Sequence, residues 1–106
     1  MSEDVRVVAL SGEYDMANVA ELAESLSMTV HPYRVVADLR DVTFMDSAAL
    51  SQLVRAHHDL TRSGGSLVLL VGSSGPVRRV LEITQLAQVI PSTGSYDDAL
   101  ALSSAS

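Results

Sequence analysis

Three apolar runs recur along the chain, each separated from the next by enough residues for one helix: VRVVAL (Val5–Leu10), RVVADL (Arg34–Leu39) and SLVLLV (Ser66–Val71). A strand packed on one face alternates apolar with polar residues. The second and third runs are apolar on both faces, which is the pattern of strands covered on both sides, usually parallel and central. Between the runs the period changes from that of a strand to that of a helix. Met16, Val19, Leu22, Ala23 and Leu26 form one apolar stripe, with Asp15 placed to cap it. Leu50, Leu53, Val54, His57 and Leu60 form a second stripe, which begins at Ser47 and stops at Gly64–Gly65.

The punctuation around these runs is equally regular. His31–Pro32 breaks the chain before the second run, and Ser73-Ser74-Gly75-Pro76 precedes a short helical pattern carrying Val77, Val80 and Leu81. AQVIP (Ala87–Pro91) predicts a short fourth strand. Ser95 with Asp98 resembles a capping box opening a last helix through Ala99, Leu100 and Leu102. The order β-α-β-α-β-α-β-α predicts an α/β fold: four to five strands, mostly parallel or mixed, right-handed crossovers and about four helices. No repeat, low-complexity run or linker divides the chain, so a single domain over residues 1–106 is expected. Functional groups in such sheets gather beyond the carboxyl ends of the strands. DVTFMDS (Asp41–Ser47) lies there, and reads as a short acidic loop.

Composition narrows the function. At 106 residues and 47% hydrophobic, the chain has enough apolar side chains for a core without metal or disulfide support. It has no cysteine, which removes disulfides, thiolate catalysis and thiolate metal sites and fits a reducing cytosol. No run approaches the roughly 18 apolar residues of a membrane span, and the start MSEDVRVV is acidic and unlike a signal peptide. A cytoplasmic protein is expected. The net charge of −6, with seven scattered arginines and no lysine, argues against a nucleic-acid partner. A protein or a small ligand fits better.

The chemistry on offer centres on Ser47. A nucleophilic serine needs a base within reach, and His57 and His58 sit ten or more residues further along the same helix, more than two and a half turns away. His31 could approach only through the fold, and there is no G-x-S-x-G elbow. Without lysine or a glycine-rich phosphate loop, a nucleotide-binding enzyme is weaker still. Asp38, Asp41 and Asp46 invite comparison with an acidic Mg²⁺ pocket, but a strand end, a turn and a loop or cap explain them more simply. His57–His58 diverge by about 100 degrees on a helix and make a poor metal pair; His57 is expected along the apolar stripe and His58 outward. Arg78–Arg79 reads as a solvated helix face. Ser47 therefore remains a helix cap, a switch, or both. A phosphoryl group there would add about −1.5 to −2 charge, which a helix N-terminus tolerates and which Asp46 and Asp41 would repel.

At these residues the sequence resembles the STAS family of bacterial anti-sigma-factor antagonists. The family's G-E-L-D is similar to Gly12-Glu13-Tyr14-Asp15, and its D-L-S-x-V-x-F-x-D-S-S-G-L to Asp38-Leu39 through Asp46-Ser47-Ala48-Ala49-Leu50. G-G-x-L-x-L is matched from Gly64 to Leu69, V-x-R-V-L-E-x-T-G-L from Val77 to Leu86, and D-A-L at Asp98-Ala99-Leu100. The resemblance implies a non-enzymatic regulator that binds, unphosphorylated, an anti-sigma factor with serine kinase activity, and so releases a sigma factor. It implies Ser47 as phosphoacceptor, a PP2C-type phosphatase that resets it, and no cofactor, since the ATP chemistry belongs to the partner. Partner contacts would come from Gly12, Glu13, Tyr14 and Asp15 together with Asp46, Ser47, Ala48, Ala49 and Leu50. The family also supplies non-switching scaffolds, as stressosome components and small subunits of lipid transporters, and this alternative stays open here. Ala49 and Gln85 stand where the family usually has glycine. The chain begins almost at the Gly12–Asp15 strand, whereas relatives often carry a strand before it. The edge so exposed would admit a homodimer.

Overall fold

The computed structural model describes residues 5–27, 34–72 and 75–104. The break expected at His31–Pro32 lies outside the described residues, as do Ser73 and Ser74 of the Ser73-Ser74-Gly75-Pro76 stretch. The elements are β1 (Val5–Tyr14), α1 (Val19–Leu26), β2 (Arg34–Met45), α2 (Ser47–Arg62), β3 (Ser66–Leu70), α3 (Pro76–Thr84), a 3₁₀ turn (Leu86–Gln88), β4 (Ser92–Thr93) and α4 (Tyr96–Ser104). The α/β alternation is as expected. The strands lie in the order β1-β2-β3-β4 and every pairing is parallel.

Two-sided burial explains the apolar runs. Val35, Ala37 and Leu39 of β2 and Leu67, Leu69 and Val71 pack with α1, α2 and α3 residues such as Leu22, Leu53 and Leu81. The alternate residues Val36, Val68 and Leu70 pack on the opposite face with Ala99 of α4. Four consecutive residues of β3, Leu67 to Leu70, are at most 1% exposed. Removing such a side chain from water stabilises by about 1.5–3 kcal/mol, so β2 and β3 must be covered on both sides. On α2 the buried line is Ala49, Leu53, Ala56 and Leu60, with Leu50, Val54 and His57 half-buried beside it. The last helix runs through Ala99, Leu100 and Leu102 as expected; Ala99 and Ser103 are buried, while Leu102 is 43% exposed.

Helix ends follow local chemistry with one exception. After α2 the Gly65 N–H donates to the Leu60 carbonyl (2.8 Å) and the Gly64 N–H to that of Thr61 (3.0 Å), with Gly64 at φ 88°. This is a Schellman turn, which satisfies the last carbonyls through a left-handed glycine. The Ser95 hydroxyl accepts from the Asp98 N–H (3.3 Å) at the start of α4. Arg78, expected to be solvated, donates to the Gly72 carbonyl (3.1 Å) and pairs with Glu82 (3.4 Å). At the end of α3 the left-handed position is held by Gln85 at φ 62° and ψ 20°, so a residue with a side chain makes the turn built elsewhere with glycine.

Two strand boundaries differ from expectation. Ala87–Pro91 is not the fourth strand: the chain leaves Gln85 in a 3₁₀ turn, Ile90 is buried as an anchor, and pairing with β3 begins at Ser92 and Thr93. The stretch after Leu39 is not a loop. β2 continues to Met45 and β1 to Tyr14, twelve residues against ten, with register shifts between Ala9 and Ser11 and between Gly12 and Glu13. Each shift places one extra residue in β2. The buried residues there, Leu39, Val42 and Met45, are therefore three apart rather than two, and this broken alternation reads as a loop. Because β3 ends at Leu70, opposite Asp38, the β1–β2 pair continues alone as a two-stranded ribbon.

A non-glycine residue in the left-handed region costs about 1–2 kcal/mol, partly offset by the greater chain entropy glycine must lose. Gln85→Gly is therefore expected to raise unfolding free energy by about 0.5–1 kcal/mol in urea titration, with an unchanged denaturant slope.

Candidate functional site

The ribbon delivers the chain from Met45 directly into α2, and Asp46 is the joint. Its backbone is extended (φ −91°, ψ −175°). Its Oδ1 accepts from the Ala49 N–H (3.0 Å), and its carbonyl accepts the first helical bond from the Leu50 N–H (2.9 Å). Asp46, not Ser47, therefore caps α2. Ser47 is the first helical residue, exposed, and its hydroxyl makes no hydrogen bond among the described residues. The expected capping role of Ser47 is corrected, and the physical reason is position: the cap must keep extended backbone, and Ser47 is already helical.

Asp46 also ties α2 to the turn after β1. Its N–H donates to the Tyr14 carbonyl (3.1 Å) and its Oδ2 accepts from the Met16 N–H (3.0 Å). That turn is closed by its own side chains: Asp15 Oδ1 accepts from Ala17 N–H (2.9 Å), Asn18 Oδ1 from Asp15 N–H (2.8 Å), and Asn18 Nδ2 donates to the Glu13 carbonyl (2.9 Å). Asp15 was expected to cap α1. The residue at that position is Asn18, whose side chain bonds within the turn instead of to the helix.

The two segments singled out in the sequence are thus neighbours. Gly12 pairs with Val42, Glu13 with Phe44 and Tyr14 with Met45, and Thr43 Oγ donates to the Gly12 carbonyl (3.2 Å). Gly12 takes φ 82° at the second register shift, a conformation that favours glycine. Around Ser47, Ala48 and Leu50 are half-buried, while Ala49 is fully buried. The methyl group of Ala49 is therefore spent in the core beneath Ser47 and adds nothing to the exposed surface. Two exposed apolar side chains flank the joint and were not singled out in the sequence: Met16 at 76% and Phe44 at 48%. The broken alternation hides Phe44, and the helical period puts Met16 on the apolar stripe, whereas α1 begins only at Val19 and leaves Met16 in the exposed turn before it.

The acids do not converge on a metal. Among the described residues no group of three or more His, Cys, Asp or Glu side chains could hold one. Asp38 instead grips Arg40 through two bonds of 3.0 and 2.9 Å, and the guanidinium holds its carboxyl below the usual carboxylate range. His57 is half-buried and His58 exposed, their rings 5.6 Å apart. Burial, then the neighbouring His58, pushes His57 below the usual histidine value. Both lie on α2 well beyond its first turn, and His31 lies outside the described residues.

Two measurements separate these roles. Asp46→Ala removes a cap and is expected to lower stability by about 1–2 kcal/mol, whereas Ser47→Ala should stay within about 0.5 kcal/mol of the parent in chemical denaturation. Asp38 has a folded-state pKa depressed from its unfolded value near 3.9. Its contribution is then fully present above that value and lost as pH falls through the folded-state one. Asp38→Asn should be less stable than the parent at neutral pH, and the gap should close as unfolding is measured at pH values descending below about 4.

Comparison with known proteins places this geometry. The family model of the STAS domain matches residues 1–99. An anti-sigma factor antagonist from Mycobacterium paratuberculosis is 28% identical, with a TM-score of 0.81 over 97% of this chain and 88% of its own. A structure described as a putative anti-sigma factor antagonist from Thermotoga maritima is 22% identical (TM-score 0.80, 97% of this chain, 90% of its own). A sulfate transporter family protein from Wolinella succinogenes is 17% identical (TM-score 0.72, 93% of this chain, 84% of its own). The last two likenesses are of fold, and their different names illustrate that one fold serves several roles. No helix among the described residues is long and apolar enough to cross a membrane. With its parallel sheet, its Asp46–Ser47 joint and a family match over nearly its whole length, the chain belongs to the STAS domain family.

Proposed function

We propose that this chain is an anti-sigma-factor antagonist whose binding is switched at Ser47. The unphosphorylated protein binds an anti-sigma factor that is itself a serine kinase and so frees a sigma factor in a bacterial cytoplasm. The partner phosphorylates Ser47, affinity falls, and a PP2C-type phosphatase restores it. Gly12 to Asp15 and Asp46 to Leu50 form the partner surface, with Ala49 supporting it from beneath. The chain itself catalyses nothing in this reading.

The observation that carries it is the uncommitted hydroxyl. Ser47 is exposed at the first position of a sixteen-residue helix whose cap is already supplied by Asp46. A phosphoryl group can be added without removing a structural bond, and the helix N-terminus favours its charge. The same group brings about −1.5 to −2 charge to a surface holding Asp46, Asp41, Asp15 and Glu13, so its main effect falls on the partner. A scaffold that never switches has no need of a free hydroxyl there, which favours the switch over the stressosome or transporter-subunit reading. The 28% identical antagonist from Mycobacterium paratuberculosis supports the same choice.

Incubation with the cognate anti-sigma kinase and ATP, followed by mass spectrometry, is expected to place one phosphate on Ser47 and none on Ser47→Ala. Ser47→Asp should weaken binding of that kinase by roughly tenfold or more, about 1.4 kcal/mol. Equal binding by the parent and Ser47→Asp, with no phosphate on Ser47, would overturn the proposal.

A further inference from the structure

The two edges of the sheet are unlike. β4 contributes only Ser92 and Thr93, so that edge is blunted by its shortness. β1 is ten residues long and pairs with no strand but β2 among the described residues. Natural edges are usually protected by charge, proline, shortness or a covering element. From Val7 to Gly12 the strand reads VVALSG, with no charge and no proline. Its composition is that of a central strand. Val5 and Val7 pack partly against the cluster of Val36, Val68, Leu70 and Ala99, and Val8 partly against the opposite core. All three remain half-buried, because each is covered from one side only.

We propose that the outer edge of β1 joins a second copy of this chain, antiparallel about a two-fold axis, to give one continuous eight-stranded sheet. A two-fold normal to the sheet keeps each face aligned with itself, so residues opposite one another must share a face. A pairing centred on Ala9 satisfies this, setting Val8 opposite Leu10 and Val7 opposite Ser11. Charge selects the direction: Arg6 near one end of the strand and Glu13 near the other come to the same end in an antiparallel pair, and like charges do so in a parallel one. The size is adequate. Nine residues, Val5 to Glu13, overlap and span about 30 Å, and with side chains on both faces the strip covers roughly 600 Å² per partner, against the roughly 800 Å² of a standard specific interface. The inference uses no property of Ser47, and although Gly12 and Glu13 of this edge also belong to the proposed partner surface, self-association of the chain alone is read without that partner.

Ala9 is exposed at the middle of this edge, so it can be charged without disturbing the core. In sedimentation velocity the full chain is expected to run at twice its chain mass at micromolar concentrations. Ala9→Lys and Ala9→Glu should each weaken dimerisation at least tenfold while keeping the thermal unfolding of the parent, and an equimolar mixture of the two should dimerise again. A parent that stays monomeric at high micromolar concentration would overturn the proposal, as would dimers that survive both substitutions. So would a mixture that stays monomeric.

Discussion

Burial of β2 and β3 on both faces is the constraint on which the rest of the molecule depends. Along Val35–Leu39 and Leu67–Leu70 the apolar side chains alternate between the α1–α3 side and the α4 side, and all of them are buried. A strand of this kind must lie inside the sheet. Parallel neighbours in turn need crossovers long enough to hold a helix, so the helices that cover the sheet are the same segments that connect it. The core and the chain order are one solution to one problem.

The functional end follows from where that constraint stops. β3 pairs only as far as Leu70, while β1 and β2 continue together through two register shifts. Freed from the third strand, the ribbon carries Asp46 past the main sheet and presents it to the turn after β1. One carboxylate then serves two masters, closing the start of α2 through Ala49 and holding Met16 of the turn. Charge-assisted bonds of this sort are among the stronger ones available to a partly exposed site. They leave Ser47 exposed with nothing structural to do, and that combination gives the residue its interest.

The departures from the family pattern acquire different meanings in three dimensions. Ala49 directs its methyl group into the core, where it is covered completely. Gln85 keeps the left-handed turn that glycine would make with less strain, so the path of the chain into the 3₁₀ turn is preserved by tertiary packing around Leu86 and Ile90. Neither substitution alters the face that holds Ser47.

Much of this was legible in the sequence because it rests on interactions a few residues apart. The period of Ser66–Leu70, the paired glycines after α2, Pro76 at the start of α3 and Ser95 before α4 all specify their local structure directly. What the sequence could not settle were relations between distant segments. The register shifts exist only against a partner strand, so Val42 and Met45 at a spacing of three resembled a loop. Asp46 and Ser47 are equally good caps by residue type, and only the extended backbone imposed by the ribbon chose between them. Asp15 had a helix to cap until Asn18 bonded to it within the turn. By itself, then, the sequence determined the alternating elements and the family, since periodicity and turn chemistry are local. The tertiary structure alone decided that the Ser47 hydroxyl was left free and Asp46 became the cap, because that depends on two strands meeting more than thirty residues apart.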